Sequence, residues 1–321
     1  MRTTLLRTAL VTLASVALAA TSTVAAPLSA SADETPSPGP FRVLTHNVMF
    51  LAPLIGGMAN PTRANLIAES DYVTGYDVVA LNEAFDNGPT DALMRGLAAE
   101  YPHQTPVLGR SRAGWDQTLA PWTWHLTPED GGVTVLSKWP IIRQVQYVYG
   151  DGCGFDALSN KGFVHVTLDV RGQAVHVVAS HTQADDSLCS DPAAVRASQF
   201  AELDAYLDGQ HIASDEPVVI AGDLNVDRAT PEYAAMLAAT DTIPPTSYDG
   251  EAPSFDPAGN SLTAHRYPGL PGQDLDYVLL RRTNQLPGPW TNTVLTPTSP
   301  PWTSGGKTFD DYSDHYPVAG G

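Results

Sequence analysis

The chain has few basic residues for its size. It contains 17 Lys and Arg against 35 Asp and Glu, which gives a formal net charge of −18 over 321 residues. A surface that holds DNA or RNA normally neutralises phosphates with Lys and Arg. The charge balance therefore argues against nucleic acid as a substrate or partner.

Cysteine is also scarce. Cys153 and Cys189 are the only two, and no Cys-x-x-Cys motif is present, so a structural zinc site is improbable. In an exported protein, two cysteines indicate one disulfide. It would close a loop of about 35 residues and stabilise the fold chiefly by restricting the unfolded chain.

Long apolar runs are absent after the N-terminus. There, two early arginines precede the apolar stretch Leu10–Ala20, and Ala30-Ser31-Ala32 forms an Ala-x-Ala cleavage motif, with Val24-Ala25-Ala26 as the alternative. The apolar stretch is too short to span a bilayer comfortably. We therefore expect a signal peptide over residues 1–32 and a secreted, extracellular protein.

The remainder of the chain shows no linker and no internal repeat. Residues 33–40 are rich in Pro, Ser and acidic side chains and should form a flexible leader. We expect residues 41–321 to form a single catalytic domain, because layered sheet enzymes reach this size as one unit.

Apolar runs predict eight strands: Phe41–Val48, Val78–Leu81, Gly132–Leu136, Ile141–Tyr149, Gly162–Val170, Gln173–Ser180, Pro217–Ala221 and Leu275–Leu280. The Arg171-Gly172 turn predicts a hairpin between two of them. Helices are predicted at Pro61–Ser70, Asp91–Glu100, Pro192–Asp208 and Pro231–Ala239. Asp191 and Thr230 are suitable N-caps, each followed by Pro at the first helical position.

Polar side chains follow four of these strands at the point where each strand ends. They are Asn47, Glu83, His181, and the pair Asp223 and Asn225; a fifth segment, Ser313-Asp314-His315, lies near the C-terminus. Strand ends deliver side chains to one shared cleft. Carboxylates, amides and imidazoles gathered there would bind a hard divalent cation and move protons, as metal-assisted phosphodiester hydrolysis requires.

The order of these segments and the residues in them resemble those of the endonuclease/exonuclease/phosphatase superfamily, typified by pancreatic deoxyribonuclease. The resemblance is closest to its secreted bacterial neutral sphingomyelinase C branch and covers Phe41–Val318. Further segments that carry it are Asn82-Glu83-Ala84-Phe85-Asp86-Asn87, Tyr101-Pro102-His103-Gln104-Thr105, Pro128-Glu129-Asp130-Gly131-Gly132, Ser159-Asn160-Lys161-Gly162-Phe163, Leu275-Asp276-Tyr277-Val278 and Asp311-Tyr312-Ser313-Asp314-His315.

The resemblance implies an α+β fold, a four-layer α/β/β/α sandwich of two packed mixed sheets like that of deoxyribonuclease. Composition and pattern alone indicate only mixed α and β. The implied activity is that of a Mg²⁺-dependent sphingomyelinase, a phospholipase C. It would hydrolyse sphingomyelin or ceramide phosphoethanolamine to ceramide and a phosphorylated headgroup by in-line attack of water.

The resemblance also assigns roles at the strand ends. Glu83 is the principal Mg²⁺ ligand, and Asn47 supplies a carbonyl to the metal or an amide to the phosphate. Asp223 positions metal or water, and Asn225 contacts a transition-state oxygen. From residue type alone, Asn47 and Asn225 could equally be turn residues.

The two matched histidines are expected to handle protons. His315 is the general base or the ligand of a second metal, and His181 is the general acid or stabilises the transition state. Asp276 orients an imidazole, which we expect to be His181. Asp314 holds metal or tunes His315, and Lys161 contacts phosphate or forms a surface ion pair. We expect structural roles for the other histidines: His46, His103, His125, His165, His176, His211 and His265.

A second divalent cation is implied at an edge site formed by the Phe85 carbonyl, Asn87, Glu129 and Asp130. A solvated acidic turn is the other interpretation of Glu129 and Asp130. Mn²⁺ or Co²⁺ are possible substitutes for Mg²⁺.

The sequence departs from membrane-attacking relatives before the Ser-Asp-His segment. In the stretch Trp302–Phe309, Gly305 and Gly306 stand where the resemblance implies exposed adjacent aromatics, so we do not expect strong haemolytic action. Trp290 and Trp302 are candidates for interfacial anchors or for the core. The candidates for a cage around a quaternary ammonium are Trp115, Trp122 and Trp124. We expect a monomer with peripheral membrane contact only.

Two other functions are considered. An extracellular nuclease on the same fold would need a basic groove, which the composition disfavours. A catalytically inactive lipid-binding protein is disfavoured by the intact set of Asn47, Glu83, His181, Asp223, Asn225 and His315.

Overall fold

The computed structural model describes residues 41–52, 56–284, 286 and 288–321. The predicted signal peptide and leader lie outside the described residues. Sixteen strands are present in this part of the chain: β1 Val43–Asn47, β2 Val78–Asn82, β3 His103–Gln104, β4 Gln117–Leu119, β5 Thr134–Ser137, β6 Ile141–Val148, β7 Gly162–Val170, β8 Gln173–His181, β9 Val218–Asp223, β10 Thr242–Ile243, β11 Ser247–Asp249, β12 Asp276–Arg281, β13 Thr291–Val294, β14 Trp302–Ser304, β15 Lys307–Phe309 and β16 Val318–Gly320. The α-helices are α1 Asn60–Ala68, α2 Asn87–Leu97, α3 Pro192–Gly209, α4 Pro231–Ala239 and α5 Ser261–Arg266.

The strands form two mixed seven-stranded sheets and one hairpin. The first sheet has the order β11-β13-β16-β1-β2-β5-β3, and the second has the order β10-β12-β9-β8-β7-β6-β4. In the first sheet β1 and β2 are parallel, with Asn47 opposite Asn82. In the second, β8 and β9 are parallel and β12 is antiparallel to β9.

The main core lies between the two sheets. Valine side chains of β1, β2 and β5 meet those of β7, β8, β9 and β12 in one buried cluster. The outer face of the first sheet packs against α1 and α2, and that of the second packs against α3 and α4. The expected α/β/β/α sandwich is therefore confirmed.

The strand predictions are confirmed to within two residues, and β7 has the predicted limits. The predicted hairpin is present, because Val170 pairs with Gln173 across the turn. Asp191 caps α3 by accepting a hydrogen bond from the Ala194 amide at 3.0 Å. Thr230 is the N-cap residue of α4 and is followed by Pro231, as predicted, but its hydroxyl donates to the Asp227 carbonyl at 2.7 Å and makes no capping hydrogen bond.

The sequence did not predict α5, β3, β4, or the short strands from β10 onward other than β12. These elements have two to six residues, too few for a periodic pattern to emerge. The predicted disulfide between Cys153 and Cys189 is present. Among the described residues, none of the helices combines the length and the apolar character that crossing a bilayer demands.

Candidate functional site

The predicted site residues meet at one end of the sandwich, because adjacent strands end there in register. His181 lies opposite Asp223 across β8 and β9, and Asp276 lies opposite Asp223 across β9 and β12. Glu83 follows β2 directly in the other sheet. The loop that precedes β16 brings His315 to the same place.

Asp223 is the centre of this arrangement and is almost completely buried. Its Oδ2 atom lies 3.7 Å from His181 Nε2 and 3.9 Å from His315 Nε2. Glu83 Oε1 lies 4.0 Å from His181 Nε2. The preceding strand residue must be glycine, because β8 and β9 approach closely there and a Cβ on Gly222 would fall 1.8 Å from the Ser180 carbonyl oxygen.

Asp276 contacts His315, not His181 as predicted from the sequence. Its Oδ2 accepts a hydrogen bond from His315 Nδ1 at 2.8 Å. The prediction failed because β9 lies between β8 and β12, so His181 and Asp276 are two strand spacings apart, about 9.6 Å. The contact leaves His315 Nε2 directed toward Asp223.

Lys161 is buried and lies beside the other imidazole. Its ammonium donates to His181 Nε2 at 3.1 Å, to the Thr182 carbonyl at 3.0 Å and to Asp156 Oδ2 at 2.7 Å. The ion pair with Asp156 is therefore internal, not at the surface as one interpretation had it. Asp156 was not among the predicted residues, and nothing in its local sequence distinguishes it.

Two asparagine side chains connect the sheets across the site. Asn47 Nδ2 donates to Asp223 Oδ2 at 2.9 Å, and its Oδ1 accepts from the Met49 amide at 3.0 Å. Asn82 donates to the Ser180 carbonyl at 2.9 Å and accepts from the Asp223 amide at 3.3 Å. Asn82 was missed as a site residue, although its position next to Glu83 at a strand end was a usable signal.

Two of the site residues adopt left-handed backbone conformations. Glu83 has φ of 54° and Asn225 has φ of 51°. Such a conformation is ordinary for Asn but costs roughly 1 to 3 kcal/mol for Glu. The Asn225 amide group donates to the Thr182 carbonyl at 3.1 Å, which holds this side chain against the end of β8.

Arg63 fixes the loops around the site from behind. Its buried guanidinium donates to the carbonyls of Val48 at 2.6 Å and Tyr312 at 3.0 Å. It thereby connects the segment after β1 to the loop that carries Asp314 and His315. Asp314 is buried as well, and its Oδ2 lies 3.8 Å from Arg266 Nε. Sequence pattern gave no signal for Arg63.

Burial makes the two carboxylates hard to ionise. It raises the pKa of Glu83 to about 7, with the charge on Asp314 as the next cause. Burial, followed by the charge on Asp276, raises the pKa of Asp223 to about 6. A positive ion placed between these oxygens would favour their charged forms.

The pKa values of the two imidazoles are shifted in opposite directions. Burial, and then the positive charge of Lys161, hold the pKa of His181 well below its usual value. Burial also lowers the pKa of His315, but the charges on Asp276 and Asp223 outweigh it and raise the pKa well above the usual value.

The donor set fits a hard divalent cation. The ligand atoms of Glu83, His181 and Asp223 lie within 4.8 Å of one another, and so do those of Asp223, Asp276 and His315. Asp276 Oδ1 is buried without a hydrogen-bond partner. Oxygen ligands from carboxylates are what Mg²⁺ prefers.

The predicted edge site is less complete. Asp130 Oδ2 accepts from Arg110 Nε at 3.2 Å, and Asp130 Oδ1 accepts from the Gly132 amide at 2.9 Å. Burial raises the pKa of Glu129, with the Asp86 carboxylate as the second cause. The structure thus brings Asp86 toward Glu129 and neutralises Asp130 with Arg110. Asn87 is exposed at the start of α2, and Phe85 is buried.

Both candidate tryptophan anchors belong to the core. Trp290 and Trp302 are buried, and their indole N–H groups donate to the carbonyls of Val278 and Asp311. Among the cage candidates, Trp122 is exposed, Trp115 packs against the inter-sheet core, and Trp124 lines a cavity beside Lys161. Of the three, only Trp124 lines that cavity.

Comparison with known proteins agrees with this geometry. The model of the "Endonuclease/Exonuclease/phosphatase family" matches residues 44–315. A protein named sphingomyelinase C from Bacillus cereus is 42% identical over 292 residues, covering 87% of each chain.

Solved structures show the same relationship. Sphingomyelinase C from Streptomyces griseocarneus is 49% identical, with a TM-score of 0.85 over 88% of this chain and 98% of that one. A variant of beta toxin from Staphylococcus aureus with bound magnesium ions is 39% identical, with a TM-score of 0.84 over 87% of this chain and 98% of that one. The chain thus belongs to the endonuclease/exonuclease/phosphatase family, among its sphingomyelinase C members.

Proposed function

We propose that this chain is a secreted, Mg²⁺-dependent sphingomyelinase of the phospholipase C type. It hydrolyses sphingomyelin or ceramide phosphoethanolamine to ceramide and a phosphorylated headgroup. The observation that carries the proposal is the pair of imidazoles on either side of Asp223, one held by Asp276 and the other by Lys161.

The proton acceptor in this reaction is His315. Asp276 fixes the imidazole through Nδ1, so in the neutral ring Nε2 is the atom that takes a proton from the attacking water. A cation held by Asp223 would cancel part of the negative charge that raises the pKa of His315, and so would favour the neutral ring. The water oxygen forms a bond to phosphorus as the bond from phosphorus to the ceramide oxygen breaks. Asp276 stabilises the imidazolium that results.

The leaving oxygen needs a proton on the opposite side. The Lys161 ammonium and His181 are joined by a 3.1 Å hydrogen bond, and together they form the cationic donor there. Asn47 and Asn225 hold Asp223 and the end of β8 in place, so the reacting groups keep a fixed separation.

Glu83 and Asp223 would hold Mg²⁺, with Asp314 as a further carboxylate nearby. When bound, the ion neutralises charge that develops on the phosphate oxygens. The electrostatics of both ligands support this role, since neither carboxylate pairs with a lysine or arginine among the described residues and the pKa of each is raised above its usual value. Mn²⁺ or Co²⁺ substitution, and a second cation near Phe85, Asn87, Glu129 and Asp130, remain predictions.

The proposed substrate rests on the net charge of the chain and on its similarity to proteins named sphingomyelinase C. The net charge of −18 disfavours a polyanion but suits a phosphodiester whose headgroup carries a cation. The proposal also includes a signal peptide at residues 1–32 and a leader at residues 33–40. We further propose that the protein acts outside the cell, as a monomer, with peripheral contact with membranes only.

The test is an assay of the purified protein with vesicles of sphingomyelin, ceramide phosphoethanolamine or phosphatidylcholine, and with plasmid DNA, each in Mg²⁺ and in EDTA. We expect Mg²⁺-dependent release of the sphingolipid headgroups. His315→Ala and Glu83→Ala should each lower kcat by about 10³-fold or more, while H211A, at an exposed histidine, should not. Nicked DNA with untouched lipid would overturn the substrate, and near-normal rates in H315A or E83A would overturn the mechanism.

A further inference from the structure

Large apolar side chains are exposed mainly in one region of the described structure. Seven are strongly exposed, and five of them lie on three loops: Trp122 and Leu126 on residues 120–128, Phe155 and Leu158 on residues 149–160, and Leu188 on residues 182–191. Their exposed fractions run from 51% for Leu158 to 78% for Trp122. Scattered exposed residues are normal, but a contiguous group marks a contact surface.

The three loops are joined to one another. The disulfide between Cys153 and Cys189 connects the second to the third, and the Phe155 amide donates to the Asp186 carboxylate. The second loop is fixed to the residues after the first, because the Glu129 amide donates to the Leu158 carbonyl at 3.1 Å. The five side chains are therefore presented together from a cross-linked frame.

This frame surrounds an entrance to the catalytic residues. A cavity between the first two loops is lined by Trp124 from one and by Gly152 and Asp156 from the other, and it reaches Lys161. Lys161 lies 3.1 Å from His181. A substrate could thus reach the reacting groups between the two loops that carry Trp122, Leu126, Phe155 and Leu158 on their exposed surfaces.

The charges on the loops distinguish between possible partners. The three segments contain five aspartates, namely Asp151, Asp156, Asp185, Asp186 and Asp191, and no lysine or arginine. Such a rim repels an anionic lipid surface. It is compatible with zwitterionic headgroups, whose outermost group is a cationic ammonium that can lie among carboxylates while apolar side chains enter the interface.

We propose that Trp122, Leu126, Phe155, Leu158 and Leu188 form a docking rim that inserts into zwitterionic bilayers. The rim holds the catalytic entrance against the lipid surface. This inference rests on the proposed lipid substrate and extends it, since it states where the membrane contacts the protein. It assigns that contact to the three loops and not to the hairpin β14–β15, whose Trp302 and Phe309 are buried.

The experiment is vesicle flotation of the purified protein and of the triple variant W122S/F155S/L188S. Phosphatidylcholine vesicles are compared with vesicles in which part of the lipid is anionic phosphatidylserine. We expect binding to phosphatidylcholine, weaker binding as phosphatidylserine increases, and a loss of about tenfold or more in the variant. I142S/L270S is the matched control, because Ile142 and Leu270 are similarly exposed but lie outside the loops.

A second readout tests insertion directly. The described chain has no free cysteine, so W122C can carry an environment-sensitive dye, with I142C as its control. A blue shift on adding phosphatidylcholine vesicles is expected for W122C and not for I142C. Unchanged binding by the triple variant, or equal shifts at both positions, would overturn the proposal. A protein dimer that the triple variant converts to monomer, without vesicle binding, would assign the rim to self-association instead.

Hydrolysis of a soluble phosphodiester separates this proposal from the proposed function. The triple variant should keep the wild-type rate on the soluble substrate and lose rate only on vesicles. Vesicle binding through the rim without any lipid turnover would leave the docking rim and remove the sphingomyelinase assignment. Turnover of sphingomyelin with unchanged vesicle binding in the triple variant would remove the docking rim and leave the sphingomyelinase assignment.

Discussion

Two imidazoles flank Asp223, and their surroundings are opposite. His315 donates to the carboxylate of Asp276 at 2.8 Å, whereas His181 accepts from the ammonium of Lys161 at 3.1 Å. Both are buried and both face the same aspartate, at 3.9 and 3.7 Å. Burial lowers the pKa of both rings; the partner on the far side adds to this shift for His181 and helps to reverse it for His315.

The difference separates the functions of the two histidines. A carboxylate partner raises the pKa of His315, despite the lowering by burial, so this ring binds a proton strongly. Burial and an ammonium partner lower the pKa of His181, so this ring stays neutral. Pairs of titratable groups whose surroundings drive their pKa values apart mark the acid and base of a reaction.

Asp276→Asn tests the His315 side and should have the largest effect. An amide cannot stabilise the imidazolium, so the pKa of His315 should fall and kcat should drop by about 10²- to 10⁴-fold. The measurements are the kinetics of sphingomyelin hydrolysis against pH and an NMR titration of His315.

The matched control for this variant is D274N, two residues away, where the carboxylate pairs with Arg228 at the surface. It should alter neither rate nor titration. An unchanged His315 titration in D276N would show that Asp276 does not orient this ring.

Lys161→Met tests the His181 side and should have a smaller effect, about tenfold on kcat. Loss of the ammonium removes the second cause that lowers the pKa of His181, so that pKa should rise, while burial still holds it below the usual value. NMR titration of His181 measures the change. K138M, which removes a surface pair with Glu100, is the control, and a fall in the pKa of His181 would contradict the assignment.

The smallest expected effect concerns Mg²⁺ and pH. The pKa values of Glu83 and Asp223 are raised to about 7 and about 6. Their protonation therefore stabilises the metal-free fold at low pH, and this contribution is lost as the pH rises through that range. Mg²⁺ must displace the same protons, so its stabilising effect should grow with pH.

We expect the rise in Tm on adding Mg²⁺ to be about 2 to 4 °C larger at pH 8 than at pH 5. Thermal unfolding in Mg²⁺ and in EDTA measures it. E83Q, which cannot ionise, should reduce the rise at pH 8. Equal rises at both pH values in the wild type would exclude these carboxylates as the sites of proton displacement.

Much of the fold could be predicted from periodicity. Long buried strands such as Gly162–Val170 alternate strongly enough to be located to the residue. Short elements such as Ser261–Arg266 could not be found, because they form through contacts with other segments. Here Asn260 caps the helix and donates to the distant Ser313 carbonyl at 2.9 Å.

In the candidate site, too, some residues could be predicted from the sequence and others could not. Glu83, His181 and Asp223 could be chosen because polar residues directly follow apolar runs. Arg63 and Asp156 could not, since Arg63 acts on a group far away in the sequence and no local pattern distinguishes Asp156 from other acidic residues. The aromatic residues were the least predictable, as Trp302 is buried and Trp122 is exposed.

The sequence by itself determined the family, the strands and the residue types at the strand ends, because local pattern and motif order encode them. Only the tertiary structure decided which carboxylate serves which imidazole. Strand order in the second sheet inserts Asp223 between His181 and Asp276. A loop from the other sheet then brings His315 within hydrogen-bond distance of Asp276. That pairing depends on how two sheets pack, and packing has no signature in any single segment.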